Sequence, residues 1–99
     1  MDPFAMGGIQ AQLKAVQDEA ARTEVEGTAG SGLVVVRMNG AQDVLAVRID
    51  PRAIADRELC EDLVRAATND AVRRSREAQA EAMRNFAARL GLPPGLLGL

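Results

Sequence analysis

Residues 32–49 read GLVVVRMNGAQDVLAVRI, and this stretch decides the fold. Apolar and β-branched residues fill both ends, and Asn39-Gly40 interrupts the middle, which is typical of a β-hairpin. With a turn at residues 40–43, the predicted pairs on one apolar face are Val34 with Ile49, Val36 with Val47 and Met38 with Leu45. A two-residue turn at Asn39-Gly40 would shift the pairing by an even number and leave both faces unchanged.

The second face of the predicted hairpin is mixed rather than apolar. It carries Leu33, Val35, Arg37, Val44, Ala46 and Arg48. A two-stranded hairpin is marginally stable in water, so its apolar face needs a cover from the rest of the chain. The mixed face offers a second surface that another chain could cover.

A first helix and a short strand are predicted before the hairpin. From Gly8, apolar residues recur at helical spacing, at Ile9, Leu13, Val16 and Ala20. After this helix, Val25 lies between two glutamates, which is typical of an edge strand because charges there discourage unwanted pairing.

A long helix is predicted from Asp56 to Leu90. Asp56 suits the N-cap position, and neither Gly nor Pro occurs between Arg52 and Gly91. At about 1.5 Å per residue this helix would be roughly 50 Å long, about twice the length of a strand, so it must overhang the sheet. Its first half is expected to cover the hairpin, and its alanine-rich second half to pack against the first helix.

Composition restricts the class of protein. The 99 residues hold 12 Lys and Arg against 14 Asp and Glu, so any nucleic-acid binding must rest on local clusters of charge. The chain has no His and a single cysteine, Cys60, which makes a poor metal site or nucleophile. We therefore expect no enzymatic activity, no cofactor, no metal and no small-molecule substrate.

Breaks in these patterns indicate the domain organisation. We expect residues 1–7 to be a disordered leader, with Met6 as a candidate natural start after a vector-derived extension. Residues 8–91 are expected to form one domain, and residues 92–99 a Pro- and Leu-rich tail. The sequence has no run of about 20 apolar residues and no signal-peptide pattern, so we expect a cytoplasmic protein without membrane contact.

Charge is unevenly distributed along the long helix. In its second half, which is predicted to form the overhang, arginines outnumber acidic residues, with Arg73, Arg74, Arg76, Arg84 and Arg89 against Glu77 and Glu81. These arginines can complement the helix dipole and solvate an exposed face, with Arg73 pairing with Glu77 four residues on. They can also form the local basic cluster that DNA binding requires. The pattern alone leaves both interpretations open.

Four segments in order carry a resemblance to a known family. They are VEGTAGSGLVVVRMNG, VLAVRIDPRAI, ELCEDLVRAATNDAVRR and LGLPPGL, and together they closely resemble the YbaB/EbfC family of nucleoid-associated proteins. The resemblance covers nearly the whole chain and implies an α+β fold of order α-β-β-β-α, with a small antiparallel sheet and one long C-terminal helix. It also implies a tweezer-like homodimer formed through the sheets, whose protruding helices bind duplex DNA with little or broad sequence preference.

The resemblance also implies roles for particular residues. The residues expected to contact DNA lie on the first and last helices and are Lys14, Arg22, Arg73, Arg74, Arg76 and Arg84. The residues expected at the dimer interface are Leu33, Val35, Val44 and Ala46. The first helix departs from the family's usual lysine-rich pattern, because Lys14 is its only lysine.

The leading hypothesis is a homodimeric, nucleoid-associated protein that binds double-stranded DNA mainly through its phosphates. Such a protein would organise the nucleoid or modulate transcription. The alternative is a protein-interaction module of the same fold, in which DNA plays no part. Convergence of the arginines of both protomers on one groove would favour the first hypothesis over the second.

Overall fold

Over residues 3–93 the chain folds into one antiparallel sheet and three helices. The computed structural model describes residues 3–93, with side chains described from residue 8 onward. The elements are α1 (Pro3–Arg22), β1 (Glu24–Ala29), β2 (Val34–Asn39), β3 (Val44–Ile49), α2 (Pro51–Ile54) and α3 (Arg57–Arg89). The strands lie in the order β1-β2-β3. The predicted α+β fold of order α-β-β-β-α is confirmed, with the single turn of α2 as an addition.

Helix α1 begins at Pro3 rather than at Gly8. Proline is favoured at the first position of a helix because no hydrogen bond is lost there, and each of Gly7 and Gly8 costs only about 1 kcal/mol relative to Ala. Residues 3–7 of the expected leader thus fall within the bounds of α1, whereas residues 1–2 lie outside the described part, and the leader itself stays a prediction. In the predicted tail, Leu92 and Pro93 have no regular structure, and residues 94–99 also lie outside it.

The pairing of β2 with β3 follows the prediction at one end and departs from it at the other. The predicted pairs Val34 with Ile49 and Val36 with Val47 are confirmed. A register shift between Arg37 and Met38 then places Met38 opposite Val44 instead of Leu45. A shift of one residue reverses the alternation of side chains, so the predicted faces are wrong at this end of β3.

The side chain of Asn39 sets the register at the turn. Its Oδ1 accepts hydrogen bonds from the backbone N–H groups of Ala41, at 2.9 Å, and Asp43, at 3.1 Å. The Asn39 N–H in turn donates to the carbonyl oxygen of Asp43 at 3.1 Å, which brings Met38 and Val44 opposite each other. An asparagine that binds its own backbone two residues on is a common way to build a turn.

Helix α3 packs mainly against β1 and β2. The reason is Gly27 on β1, because a Cβ at this position would collide with the backbone of Ala67 and Ala71 on α3. The absent side chain lets the helix backbone approach β1 closely. The buried core between helix and sheet consists of Val34, Val36, Met38, Ala53, Ala67 and Ala71.

Strand β3 remains largely uncovered as a result. Leu45 is 43% exposed and Val47 is 49% exposed, although both were expected to lie beneath the long helix. That prediction is therefore wrong for Leu45 and Val47, although Ile49 at the end of β3 packs against the core as predicted. The close approach at Gly27 centres the helix over the opposite edge of the sheet.

Aspartate side chains cap the N-termini of α2 and α3. Asp56 Oδ1 accepts the Leu59 N–H at 3.2 Å, which confirms Asp56 as the N-cap of α3. Asp50 caps α2 in the same way, accepting the Arg52 N–H at 2.8 Å ahead of a proline at the first helical position. The sequence pattern predicts the end of the strand at this point but does not predict the short helix α2.

The end of α3 pairs with α1, as predicted. Val16 and Ala20 of α1 are buried, as are Phe86 and Ala87 of α3, and Val16 and Phe86 line the same cavity. The Cα positions extend over 63 × 22 × 15 Å, which reflects the length of the helices beyond the sheet. Across residues 3–93, no helix is both long enough and apolar enough to cross a membrane.

Candidate nucleic-acid interface

Three of the predicted DNA-contacting arginines share one outward face of α3. Arg73 and Arg76 are three residues apart and line one shallow surface depression together with Glu77 and Ala80. Arg84 lies eleven residues beyond Arg73, which is about three helical turns, so it points in nearly the same direction. All three side chains are exposed. We call Arg73, Arg76 and Arg84 the arginine row.

Most of the predicted arginine cluster lies beside the sheet and not in the overhang. The Ser75 hydroxyl donates to the backbone carbonyl of Asn39 at the end of β2, at 2.7 Å. Arg74 borders a depression that also contains Val25 and Glu26 of β1. The expectation that residues 73–76 belong to the overhang is therefore wrong, because α3 crosses the sheet along β1 before it extends past it. Arg84 alone of the four lies further along the helix.

Arg74 lies on a different side of α3 from the arginine row. The depression that it borders contains three glutamates, Glu26, Glu77 and Glu81. This surface has an acidic character that opposes a phosphate backbone. Glu77 also borders the depression of Arg73 and Arg76, so the two surfaces adjoin there. Arg74 is further connected to the arginine row through a carboxylate that it shares with Arg73.

That carboxylate belongs to Asp70. Its Oδ2 accepts the backbone N–H of Thr28 on β1 at 3.0 Å and the Nε–H of Arg74 at 3.2 Å, and its Oδ1 accepts a hydrogen bond from Arg73. The Thr28 N–H, and then the Arg74 side chain, hold the pKa of the Asp70 carboxyl below its ordinary value. The predicted pairing of Arg73 with Glu77 is replaced by pairing with Asp70, since the bond from Thr28 fixes that carboxylate in place.

The two predicted cations of α1 are also exposed. Lys14 lies mid-helix and Arg22 lies in the last turn, where a positive charge is favourable to the helix dipole. Arg76 lines a depression with Gln17 of α1 and Ala41 of the hairpin turn, so the arginine row borders the junction of α1, α3 and the turn.

The residues expected at the dimer interface have different environments in one protomer. Leu33 is half-buried against the core, and Val35 is only 6% exposed, because on the central strand it lies between Thr28 and Arg48 of the neighbouring strands. Val35 is therefore removed from water within a single protomer, although it was predicted on the mixed face that another chain could cover. Val44, at 51% exposed, and Ala46 are open to solvent on β3.

Strand β3 also exposes two residues that sequence reasoning did not assign to an interface, Leu45 and Val47. They were missed because alternation alone places both on the helix-covered face. The lateral position of α3 leaves Val47 open, and the register shift at Met38 takes Leu45 out of its predicted pairing. A further apolar depression lies nearby and is lined by Ile54, Cys60 and Val64. Cys60 is a half-buried free thiol.

Comparisons with known proteins agree with this fold. The model of the YbaB/EbfC DNA-binding family matches residues 5–90. A nucleoid-associated protein of Nitrobacter hamburgensis is 47% identical over 90 residues, which cover 89% of this chain and 85% of that protein. A nucleoid-associated protein of Bradyrhizobium diazoefficiens is 45% identical over 92 residues, covering 91% and 87%.

A solved structure supports the fold alone. The crystal structure of an uncharacterized protein from Helicobacter pylori matches with a TM-score of 0.67 and 23% identity, over 91% of this chain and 97% of that one. The fold and the family match together indicate a class of small α+β proteins whose family is described as DNA-binding. The chain belongs to the YbaB/EbfC DNA-binding family. The resemblance inferred from the sequence is confirmed.

Proposed function

We propose that this protein is a nucleoid-associated homodimer that binds double-stranded DNA mainly through its phosphates, with little sequence specificity. The observation that carries the proposal is the arginine row, Arg73, Arg76 and Arg84, exposed along one face of α3. Arginine is suited to this role because its planar guanidinium matches phosphate geometry and stays charged. The names of the relatives in Nitrobacter and Bradyrhizobium support an association with the nucleoid.

The binding is directed at the DNA backbone rather than at base edges. A net charge of −2 gives no general attraction to DNA, so affinity has to come from this local row and the counterions that it releases. Glu26 and Glu81 on the Arg74 side of α3 disfavour contact there, while Glu77, which also borders Arg73 and Arg76, offsets part of the positive charge of the row. Lys14 and Arg22 on α1 add exposed positive charge and complete the proposed DNA-contacting set.

The proposed homodimer buries the exposed apolar residues of β3. Leu45 and Val47 form, with Val44, an apolar surface on an edge strand whose outer backbone groups are available for pairing. A second copy placed at this strand would cover them and bring two arginine rows into one assembly. The predicted interface residues Leu33, Val35, Val44 and Ala46 fit this arrangement best at Val44 and Ala46, which are exposed.

A salt titration of DNA binding tests the proposal. The variant Arg73→Ala/Arg76→Ala/Arg84→Ala should bind unrelated duplexes more weakly by a similar factor. Its plot of log affinity against log salt should flatten by about 0.9 for each phosphate that the variant no longer binds. The matched control is Arg52→Ala/Arg57→Ala/Arg65→Ala, which removes three exposed arginines from α2 and the first half of α3. Equal slopes for the two variants would refute the arginine row as the DNA contact.

The second candidate is a protein-interaction module of the same fold. The apolar depression lined by Ile54, Cys60 and Val64 favours it, because such a surface fits a protein partner better than a phosphate backbone. Absence of any DNA binding by the parent protein at low salt would make this the better interpretation.

A further inference from the structure

Asp70 is an anion built into the proposed DNA-binding surface. Its side chain is only 13% exposed, whereas those of its partners Arg73 and Arg74 are 66% and 52% exposed. The backbone N–H of Thr28 on β1 binds Oδ2, so the carboxylate is held between sheet and helix and cannot rotate into solvent without losing that bond. The carboxylate is thus fixed, while the two guanidinium groups that it binds extend toward water.

The group formed by these three side chains carries a net charge of +1, because one carboxylate offsets one of two guanidinium groups. A phosphate oxygen offers arginine the same kind of charge-assisted hydrogen bond as a carboxylate oxygen. Phosphate and Asp70 therefore compete for the same donors. Arg76 and Arg84 differ, since no ion pair is found for either of them among residues 8–93.

We propose that Asp70 acts as an internal competitor for phosphate at Arg73, which it holds on the protein, and thereby limits both the affinity for DNA and the number of phosphates bound. Arg74 shares this carboxylate but lies outside the arginine row. This inference rests on the proposed function and deepens it, because it names the residue that sets the strength of the contact. Asp70 is a positioning residue and is not itself a DNA contact.

The variant Asp70→Asn tests the proposal because it removes the charge while keeping an oxygen that can accept the Thr28 N–H. It should bind duplex DNA at least several-fold more tightly than the parent at fixed salt. The dependence of log affinity on log salt should also become steeper, by about 0.9 for each additional phosphate bound. The matched control is Asp62→Asn, which removes the same charge from an exposed i,i+3 pair with Arg65 earlier on α3.

A double-mutant cycle separates competition from a general charge effect. In a background of Arg73→Ala/Arg74→Ala, Asp70→Asn should change DNA affinity no more than Asp62→Asn does, because the competed donors are gone. Equal effects of Asp70→Asn and Asp62→Asn in the otherwise unaltered protein would overturn the proposal. Weaker binding by a folded Asp70→Asn variant would also overturn it, since the carboxylate would then orient the arginines for phosphate.

A measurement on the parent protein covers the case in which Asn at position 70 prevents folding. If Asp70 holds its arginines against phosphate, its carboxyl ¹³C signal should stay close to the DNA-free position when the parent protein is saturated with duplex DNA. A shift to the position that the signal takes in Arg73→Ala/Arg74→Ala would show that phosphate has taken both donors, and would overturn the proposal. The two hypotheses also fail separately. If the arginine-row variant binds DNA like the parent, the proposed function is wrong, whereas if it loses binding and Asp70→Asn matches Asp62→Asn, only the role of Asp70 is wrong.

Discussion

The Ser75 hydroxyl donates a 2.7 Å hydrogen bond to the backbone carbonyl of Asn39, and both residues are buried. This bond joins the middle of α3 to the turn of the hairpin. We expect Ser75→Ala to lower the free energy of unfolding by about 1 kcal/mol, the usual contribution of one such bond. Urea unfolding measures the change, with Ser31→Ala at an exposed turn position as the control. Equal stability of the two variants would show that the bond contributes nothing.

Gly27 should be intolerant of any side chain. An alanine Cβ there would collide with the backbone of Ala67 and Ala71, so β1 and α3 must separate, at a cost of roughly 3 kcal/mol or loss of folding. The matched substitution Gly8→Ala has open space around it in α1 and should stabilise the helix by up to about 1 kcal/mol. Thermal unfolding followed by circular dichroism compares the two. A Gly27→Ala variant as stable as the parent would contradict the close contact.

The exposed face of β3 predicts which substitution separates the proposed dimer without unfolding it. Val47→Glu should give a folded monomer, because this side chain is already half exposed in one protomer and its charge meets water once the partner leaves. Val35→Glu should instead unfold the chain, since Val35 is buried within the protomer. Light scattering reports the mass, and circular dichroism reports the fold. Ile9→Glu on α1 is the control, and a dimeric Val47→Glu variant would rule out β3 as the interface.

The lowered pKa of Asp70 predicts a loss of stability in acid. Because the folded-state pKa lies below the ordinary value of 3.8, the contribution of this carboxylate is complete above that value and is lost as pH falls through the folded-state pKa. Asp70→Asn should therefore be less stable than the parent at pH 7, and the difference should narrow below about pH 4. Urea midpoints between pH 7 and pH 2 measure this difference, with Asp18→Asn on α1 as the control for loss of one charge. A difference that stays constant over this range would contradict the prediction.

The long helix was predicted almost to the residue because its signals are local. Asp56 supplies the N-cap, and the absence of Gly and Pro up to Gly91 leaves nothing to interrupt the helix. The hairpin was predicted from Asn39-Gly40 for the same reason. Local sequence carries such features, since each depends on neighbours within about one turn of chain.

The structural features that the sequence did not predict depend on contacts between residues that are distant in sequence. The bond from Thr28 to Asp70 joins residues 42 positions apart, and it decides that Arg73 pairs with Asp70 instead of Glu77. The exposure of Val47 depends on where α3 lies across the sheet, which the missing side chain of Gly27 determines. Neither relationship leaves a periodic pattern in one sequence. The predicted helices and strands were therefore more accurate than the predicted contacts and exposure of their side chains.

The junction of the hairpin turn with both long helices has a mechanical consequence. Gly40 donates its N–H to the carbonyl of Ala20 at 2.8 Å, and a Cβ at Gly40 would collide with the backbone there, so the turn fixes α1 as firmly as Ser75 fixes α3. From Ser75 to Arg89 the helix extends about 21 Å. A tilt of about 5° at the junction would move the Arg89 end of this segment by about 2 Å, which is more than half the length of an ordinary hydrogen bond. Substitutions around Gly40 should therefore move Arg84, about 14 Å beyond Ser75, by about 1 Å without altering a single charge.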